Sequence, residues 1–146
     1  MKVKAILLVG VGLFVATCRP KGMTAAERYE GSWDCQVSIT ETNIKNPRSF
    51  RKISQVDISA IDDNRVLIAF PDSSGLRMEA EIRMGSNLVI SRQKVYLYAT
   101  NRYNGEVNVI GQGSNMNNQL SISYTAVDAN NETGYSQSAQ MSGTKR

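Results

Sequence analysis

The sequence predicts an all-β protein, an antiparallel meander of about eight or nine short strands closed into a barrel. Three observations carry that expectation. Beyond residue 29, apolar and polar residues alternate with a period of two, the mark of strands with one buried face. Short clusters of Asn, Asp, Gly, Pro and Ser interrupt the alternation, as tight turns require. No stretch of that region carries apolar residues at helical spacing. One-faced strands need a facing partner and open sheet edges invite aggregation, and a closed barrel answers both. A two-sheet sandwich satisfies the same periodicity and stands as the alternative.

Taken in order, Trp33, Cys35, Val37 and Ile39 form the apolar face of the first strand, with Asp34, Gln36 and Ser38 opposite. A loop over 43–47 leads to a second strand over 53–61, in which Val56, Ile58 and Ala60 share a face. Asp62, Asp63 and Asn64 turn the chain into a third strand over 65–70. Turn residues at 71–75 precede the most regular strand, 76–84. There Leu76, Met78, Ala80, Ile82 and Met84 lie on one face, with Arg77, Glu79, Glu81 and Arg83 on the other. A turn at 85–87 leads to a short strand over 88–91 and then to one over 95–103. In the latter Val95, Leu97 and Ala99 oppose Tyr96, Tyr98 and Thr100. Asn104-Gly105 predicts a type I′ hairpin, since that turn needs positive φ at both central positions, with the return strand over 106–113. A turn at 115–119 leads to 120–126, where Leu120, Ile122 and Tyr124 share a face. A polar loop over 128–134 precedes the last strand, 135–144, with Ala139, Met141 and Gly143 inward.

The N-terminal stretch is of another kind. Lys2 and Lys4 form a basic head, and residues 5–17 an apolar run that ends at Cys18. Basic, then apolar, then small residues describe a secretory signal. At about 1.5 Å per residue the apolar run reaches about 20 Å as a helix, short of the roughly 30 Å hydrocarbon core. We therefore read 1–17 as a cleaved signal, 18–28 as a tether broken by Pro20 and Gly22, and 29–146 as one barrel domain. Residues 25–29 have the composition of a single helical turn.

Charge and composition narrow the function. The chain carries 17 basic and 13 acidic side chains. Lys2 and Lys4 leave with the signal, so the mature chain, with fifteen and thirteen, is near +2. Its charges are scattered, with Arg48, Arg51 and Lys52 the one small cluster, which argues against nucleic acid as a partner. Histidine is absent, and with it the commonest general base and zinc ligand. Gly111-Gln112-Gly113 has Met116 where a dinucleotide fingerprint needs its third glycine, and reads as bulge chemistry. The run from Asp128 to Glu132 starts like a calcium loop, but its glycine, Gly134, is one place late and Ala139 takes the closing position; it reads as a hairpin loop. Glu79 and Glu81, flanked by Arg77 and Arg83 on the same face, read as a charge ladder. No catalytic residue, metal ligand or cofactor is expected, and no enzymatic activity. Cys35, in phase with Trp33 and Val37, is expected to be a buried thiol.

The junction Val15-Ala16-Thr17-Cys18 resembles the lipobox of bacterial lipoproteins, with Thr17 where that family has Gly, Ala or Ser. The resemblance implies a diacylglycerol on the Cys18 thiol, fatty chains such as palmitate holding the protein on a membrane, and a place in the bacterial cell envelope, at the outer membrane. Tyr29-Glu30-Gly31-Ser32-Trp33 at the first strand and Gly143-Thr144-Lys145-Arg146 at the last resemble the ends of lipocalin-like (calycin-like) barrels. That resemblance implies that Trp33 closes one end of the barrel and that Arg146, or Lys145, packs across its ring.

Two functions follow as expectations. The first is a monomeric, lipid-anchored barrel that holds a small hydrophobic ligand in a lumen lined by Val37, Phe70, Met78, Ile82, Leu97, Ile122 and Met141. Methionine suits an adaptable pocket. The second is an envelope interaction or inhibitor module acting through loops and tyrosines, Tyr96, Tyr98 and Tyr103. An interior void lined by the named residues favours the first, and a solid lumen with solvent-facing Tyr96 and Tyr98 favours the second.

Overall fold

The computed structural model describes residues 22–42, 47–72, 74–99 and 103–146. The expected signal, 1–17, and Cys18 lie outside the described residues. Eight strands run in sequence order around one closed antiparallel barrel: β1 (Gly31–Thr42), β2 (Arg48–Ala60), β3 (Arg65–Ala69), β4 (Arg77–Arg83), β5 (Asn87–Ala99), β6 (Tyr103–Met116), β7 (Gln119–Asp128) and β8 (Ser136–Lys145). β8 pairs back onto β1, from Trp33 opposite Lys145 to Thr42 opposite Ser136, and this closure rules out a sandwich. Burial alternates residue by residue along β1, β4 and β7. The inward faces merge into one core that includes Trp33, Val56, Ile68, Leu88, Leu97, Ile122 and Met141.

A single helical turn, α1 (Ala25–Tyr29), seals one end. Its start is a capping box: Glu27 N–H donates to Thr24 Oγ1 at 3.2 Å, and Thr24 N–H donates to Glu27 Oε2 at 2.6 Å. Such a cap contributes about 1 kcal/mol, enough to hold one turn that would not persist alone. Tertiary bonds fix it across the barrel end. Ala26 N–H donates to Asp63 O at 3.1 Å, Asn115 Nδ2 donates to Arg28 O at 3.0 Å, and the Tyr29 hydroxyl donates to Ser86 O. The helix therefore touches the β2–β3 and β4–β5 connections and the end of β6 together.

Four local expectations are corrected. The strands expected over 88–91 and 95–103 are one strand, β5, whose pairing to β6 shifts between Ile90 and Gln93. Ser91 and Arg92 stand against Ile110 alone, a bulge that reverses the phase of alternation: Leu88 and Ile90 point inward before it and Leu97 after it. Asn104 and Gly105 do not form the hairpin turn. They lie in β6, paired with Tyr98 and Leu97, because Tyr103 is drawn into the strand by its buried ring and its hydroxyl bonds. Met84 does not join the inward face of β4; it stands in the turn after Arg83 with φ +51° and is 94% exposed. Gly111 and Gly113 are not bulge residues. A Cβ at either would meet the carbonyl oxygen of Ser123 or Ser121 at 2.4–2.5 Å, so they serve close approach of β6 to β7.

The other turns follow their residues. Asn117 and Asn118, both at positive φ, make a two-residue hairpin between paired Met116 and Gln119. At 128–134, Asp128 accepts from Asn130 N–H, Thr133 N–H and Thr133 Oγ1 at 3.0, 2.8 and 2.6 Å. It is a side-chain-tied loop, as its composition implies.

Candidate functional site

The two ends of the barrel differ. At the α1 end the Trp33 indole is fully buried and its Nε1–H donates to Tyr29 O at 2.8 Å. Lys145 Nζ lies 5.9 Å from the centre of its ring, at the outer limit of a cation–π contact. Arg146 does not cover the indole; its Nε–H donates to Asp34 at 2.8 Å, and its backbone N–H to Ser32 O at 3.0 Å. Lys145 is thus the cation beside the ring, since β8 pairs it directly with Trp33 and carries the next residue past it.

The opposite end is concave among the described residues. A cavity of about 200 Å³ sinks into it, with Val37, Ile39, Phe50, Phe70, Leu97 and Tyr124 as its apolar lining and Glu41, Arg48, Lys52 and Gln137 as polar neighbours. Each polar group arrives by strand phase: Glu41 continues the inward series of Val37 and Ile39, and Gln137 that of Met141 and Ala139. Glu41 is buried, and Arg48 Nε–H donates to it at 2.7 Å while the guanidinium sits 4.7 Å from the centre of the Phe50 ring. Asp72 accepts from Lys52 Nζ, from Ser54 Oγ at 2.9 Å and from Ser74 Oγ at 2.7 Å. Burial alone drives the Asp72 carboxyl up, but these donors and the Ser74 N–H outweigh it and bring it down to about 2.

Tyrosines frame the mouth. Tyr135 and Tyr103 stack with ring centres 4.4 Å apart, and Phe70 meets Tyr124 edge-on at 6.1 Å. The Tyr135 hydroxyl lies between Glu41 Oε1 at 3.4 Å and Gln137 Oε1 at 3.3 Å. Burial first, and Glu41 second, push its ionisation up. Among the described residues no buried side-chain nitrogen or oxygen lacks a hydrogen-bond partner. Among the described residues, the two cations that line the cavity, Arg48 and Lys52, each face a carboxylate, Glu41 and Asp72.

All seven expected lumen residues are buried, yet they do not enclose one void. Val37, Phe70 and Leu97 line the mouth cavity, while Met78, Ile82, Ile122 and Met141 pack into the core. Glu41, Arg48 and Gln137 were not expected at the site. Their signal was the period-two phase itself, which places Glu41 and Gln137 inward although polar strand-end residues usually face water.

A larger concavity, about 740 Å³, lies elsewhere, across the outer wall where Gln36, Ser38, Arg51, Ser121, Gln140 and Ser142 stand side by side. It is an open trough made by short side chains on curved strands, and encloses nothing. Tyr96 and Tyr98 face solvent about half-exposed, with ring centres 4.8 Å apart, and Tyr98 reaches the rim of the mouth. Tyr103, expected beside them at the surface, is buried against Tyr135 because its hydroxyl donates to Glu106 O at 2.6 Å. The closed eight-stranded meander is compatible with a lipocalin-like fold. No known family model and no curated protein matches the chain.

Proposed function

We propose that this protein is a lipid-anchored barrel of the bacterial cell envelope that holds a small, uncharged, largely apolar ligand at its concave end, without catalysis. The observation that carries the reading is the mouth cavity of about 200 Å³, where Val37, Ile39, Phe50, Phe70 and Leu97 form an apolar part of the wall and, among the described residues, the lining cations Arg48 and Lys52 are paired with carboxylates. Ligand pockets for drug-sized molecules run from about 300 Å³ upward, so the occupant is smaller, or projects partly into solvent. Removing its apolar surface from water supplies about 25 cal/mol per Å², which makes chain length the main determinant of affinity. The anchor is supported by the apolar run ending at Cys18 and by the tether that follows it.

Thermal melting of the purified protein with straight-chain alcohols of increasing length tests the cavity. The midpoint rises with chain length and then levels off, and Leu97→Trp, which fills the cavity, abolishes the rise. Flat melting curves with every alcohol would end the ligand reading. The exposed Tyr96–Tyr98 pair supports the second reading, a protein-binding rim. Under that reading a Tyr96→Ala variant loses its envelope partner in crosslinking while its alcohol response is unchanged.

A further inference from the structure

Among the described residues, the α1 end of the barrel carries four exposed apolar side chains on separate segments. Met84 tips the β4–β5 turn at 94% exposure, Met116 flanks the β6–β7 turn at 66%, Met23 precedes the helix cap at 65%, and Ile61 opens the β2–β3 turn at 43%. The bonds from Ala26 to Asp63, Tyr29 to Ser86 and Asn115 to Arg28 gather these segments around one helix, so the four belong to one rim. Ile53, Ile110 and Val127, by contrast, are single exposed residues on the strands, of the sort any surface carries.

Met84 is the most telling. Its φ of +51° belongs to Gly and Asn, and an unbranched apolar residue gains nothing there from turn geometry or from packing. The same rim is where the chain enters from the apolar N-terminal segment. Six residues lie between Cys18 and Ala25, seven Cα-to-Cα steps that span at most about 25 Å of extended chain. An anchor at Cys18 therefore keeps this end within reach of the bilayer.

We infer that the helix-capped end is a lipid-facing docking surface, in which Met23, Ile61, Met84 and Met116 enter the interfacial layer of the membrane that the N-terminus is anchored in, leaving the ligand mouth turned away from it. The inference rests on the anchored half of the proposed function and is independent of the ligand. Flexible thioethers suit an irregular, mobile lipid boundary, and shallow burial of a few apolar tips orients a domain that the anchor already holds.

The test uses the full chain, purified from membranes and reconstituted in phosphatidylethanolamine–phosphatidylglycerol vesicles, with some lipids brominated on their acyl chains. An environment-sensitive fluorophore is placed on Met84→Cys, Met116→Cys or, as control, Glu132→Cys in the loop at the other end; Cys35 is buried. Quenching at 84 and 116 is expected to exceed that at 132 by about three-fold or more, as shallow insertion requires. A fluorophore on Ile61→Cys should lose its quenching when Met84→Asp and Met116→Asp are added. Equal quenching at 84, 116 and 132 on protein that still floats with the vesicles overturns the docking surface and leaves the anchor standing. Protein that does not float overturns both.

Discussion

Gly143 pairs with Cys35 across β8 and β1 so closely that a Cβ would come within 2.5 Å of Cys35 Sγ and 2.2 Å of the preceding Asp34 carbonyl oxygen. No rotamer adjustment relieves a clash with backbone. Gly143→Ala is therefore expected to destabilise the barrel by about 2–3 kcal/mol, lowering the thermal midpoint by on the order of 10 °C. Gly22→Ala, with nothing within 4 Å, should melt like the parent. Far-ultraviolet circular dichroism on the two variants checks the contrast.

At the closed end, Lys145 and not Arg146 neighbours the indole. Lys145→Gln should change the Trp33 emission and reduce stability by about 0.5–1 kcal/mol. Arg146→Gln should leave the emission unchanged, because its partner is the exposed Asp34 carboxylate. Steady-state fluorescence distinguishes them, and identical spectra for both would remove Lys145 from the role.

At the mouth, Glu41 is buried while Arg48 is partly exposed, so loss of either partner is not equivalent. Arg48→Ala leaves a buried carboxylate without its cation and should destabilise by about 2–4 kcal/mol. Adding Glu41→Gln to that variant should restore about half or more of the loss, a coupling that a double-mutant cycle in denaturant measures. Simple additivity would show that the pair does not act as a unit.

Stability should be flat from about pH 5 to 8, since the chain has no histidine to titrate there. Asp72 and Asp128 both sit at about 2 in the folded protein. Donors from Lys52, Ser74 and Ser54 overcome burial at the first, and donors from Thr133, Asn130 and Tyr103 hold the second. Folded values below the unfolded one of about 3.9 mean that this stabilisation is present above that pH and is lost as the pH falls from about 4 to 2. Burial and Asp128 raise Tyr103 to about 12, so its contribution is present below about pH 10 and is lost as the pH rises through 12. Urea titrations across pH should show this plateau, and Asp128→Asn should weaken the acid limb.

The alternation of residues along the chain was enough to read most strands, the inward series of the first and last strands, and the hairpin loop at Asp128. Period two directly encodes which face is buried. The helical turn at 25–29 and the buried Cys35 were legible for similarly local reasons, whereas the turn's capping box was not read. Long-range packing settled what local pattern could not. A bulge at Ser91–Arg92 reversed the phase within one strand, and the stacking of Tyr103 on Tyr135 moved the reversal away from Asn104-Gly105. A glycine's tolerance of turns is a local property; whether the chain turns there depends on which neighbouring ring finds a buried partner. The charged mouth and the exposed methionine rim were hidden for the same reason. Each is assembled from residues far apart in the chain, and only closure of β8 onto β1 and docking of the helix bring them together.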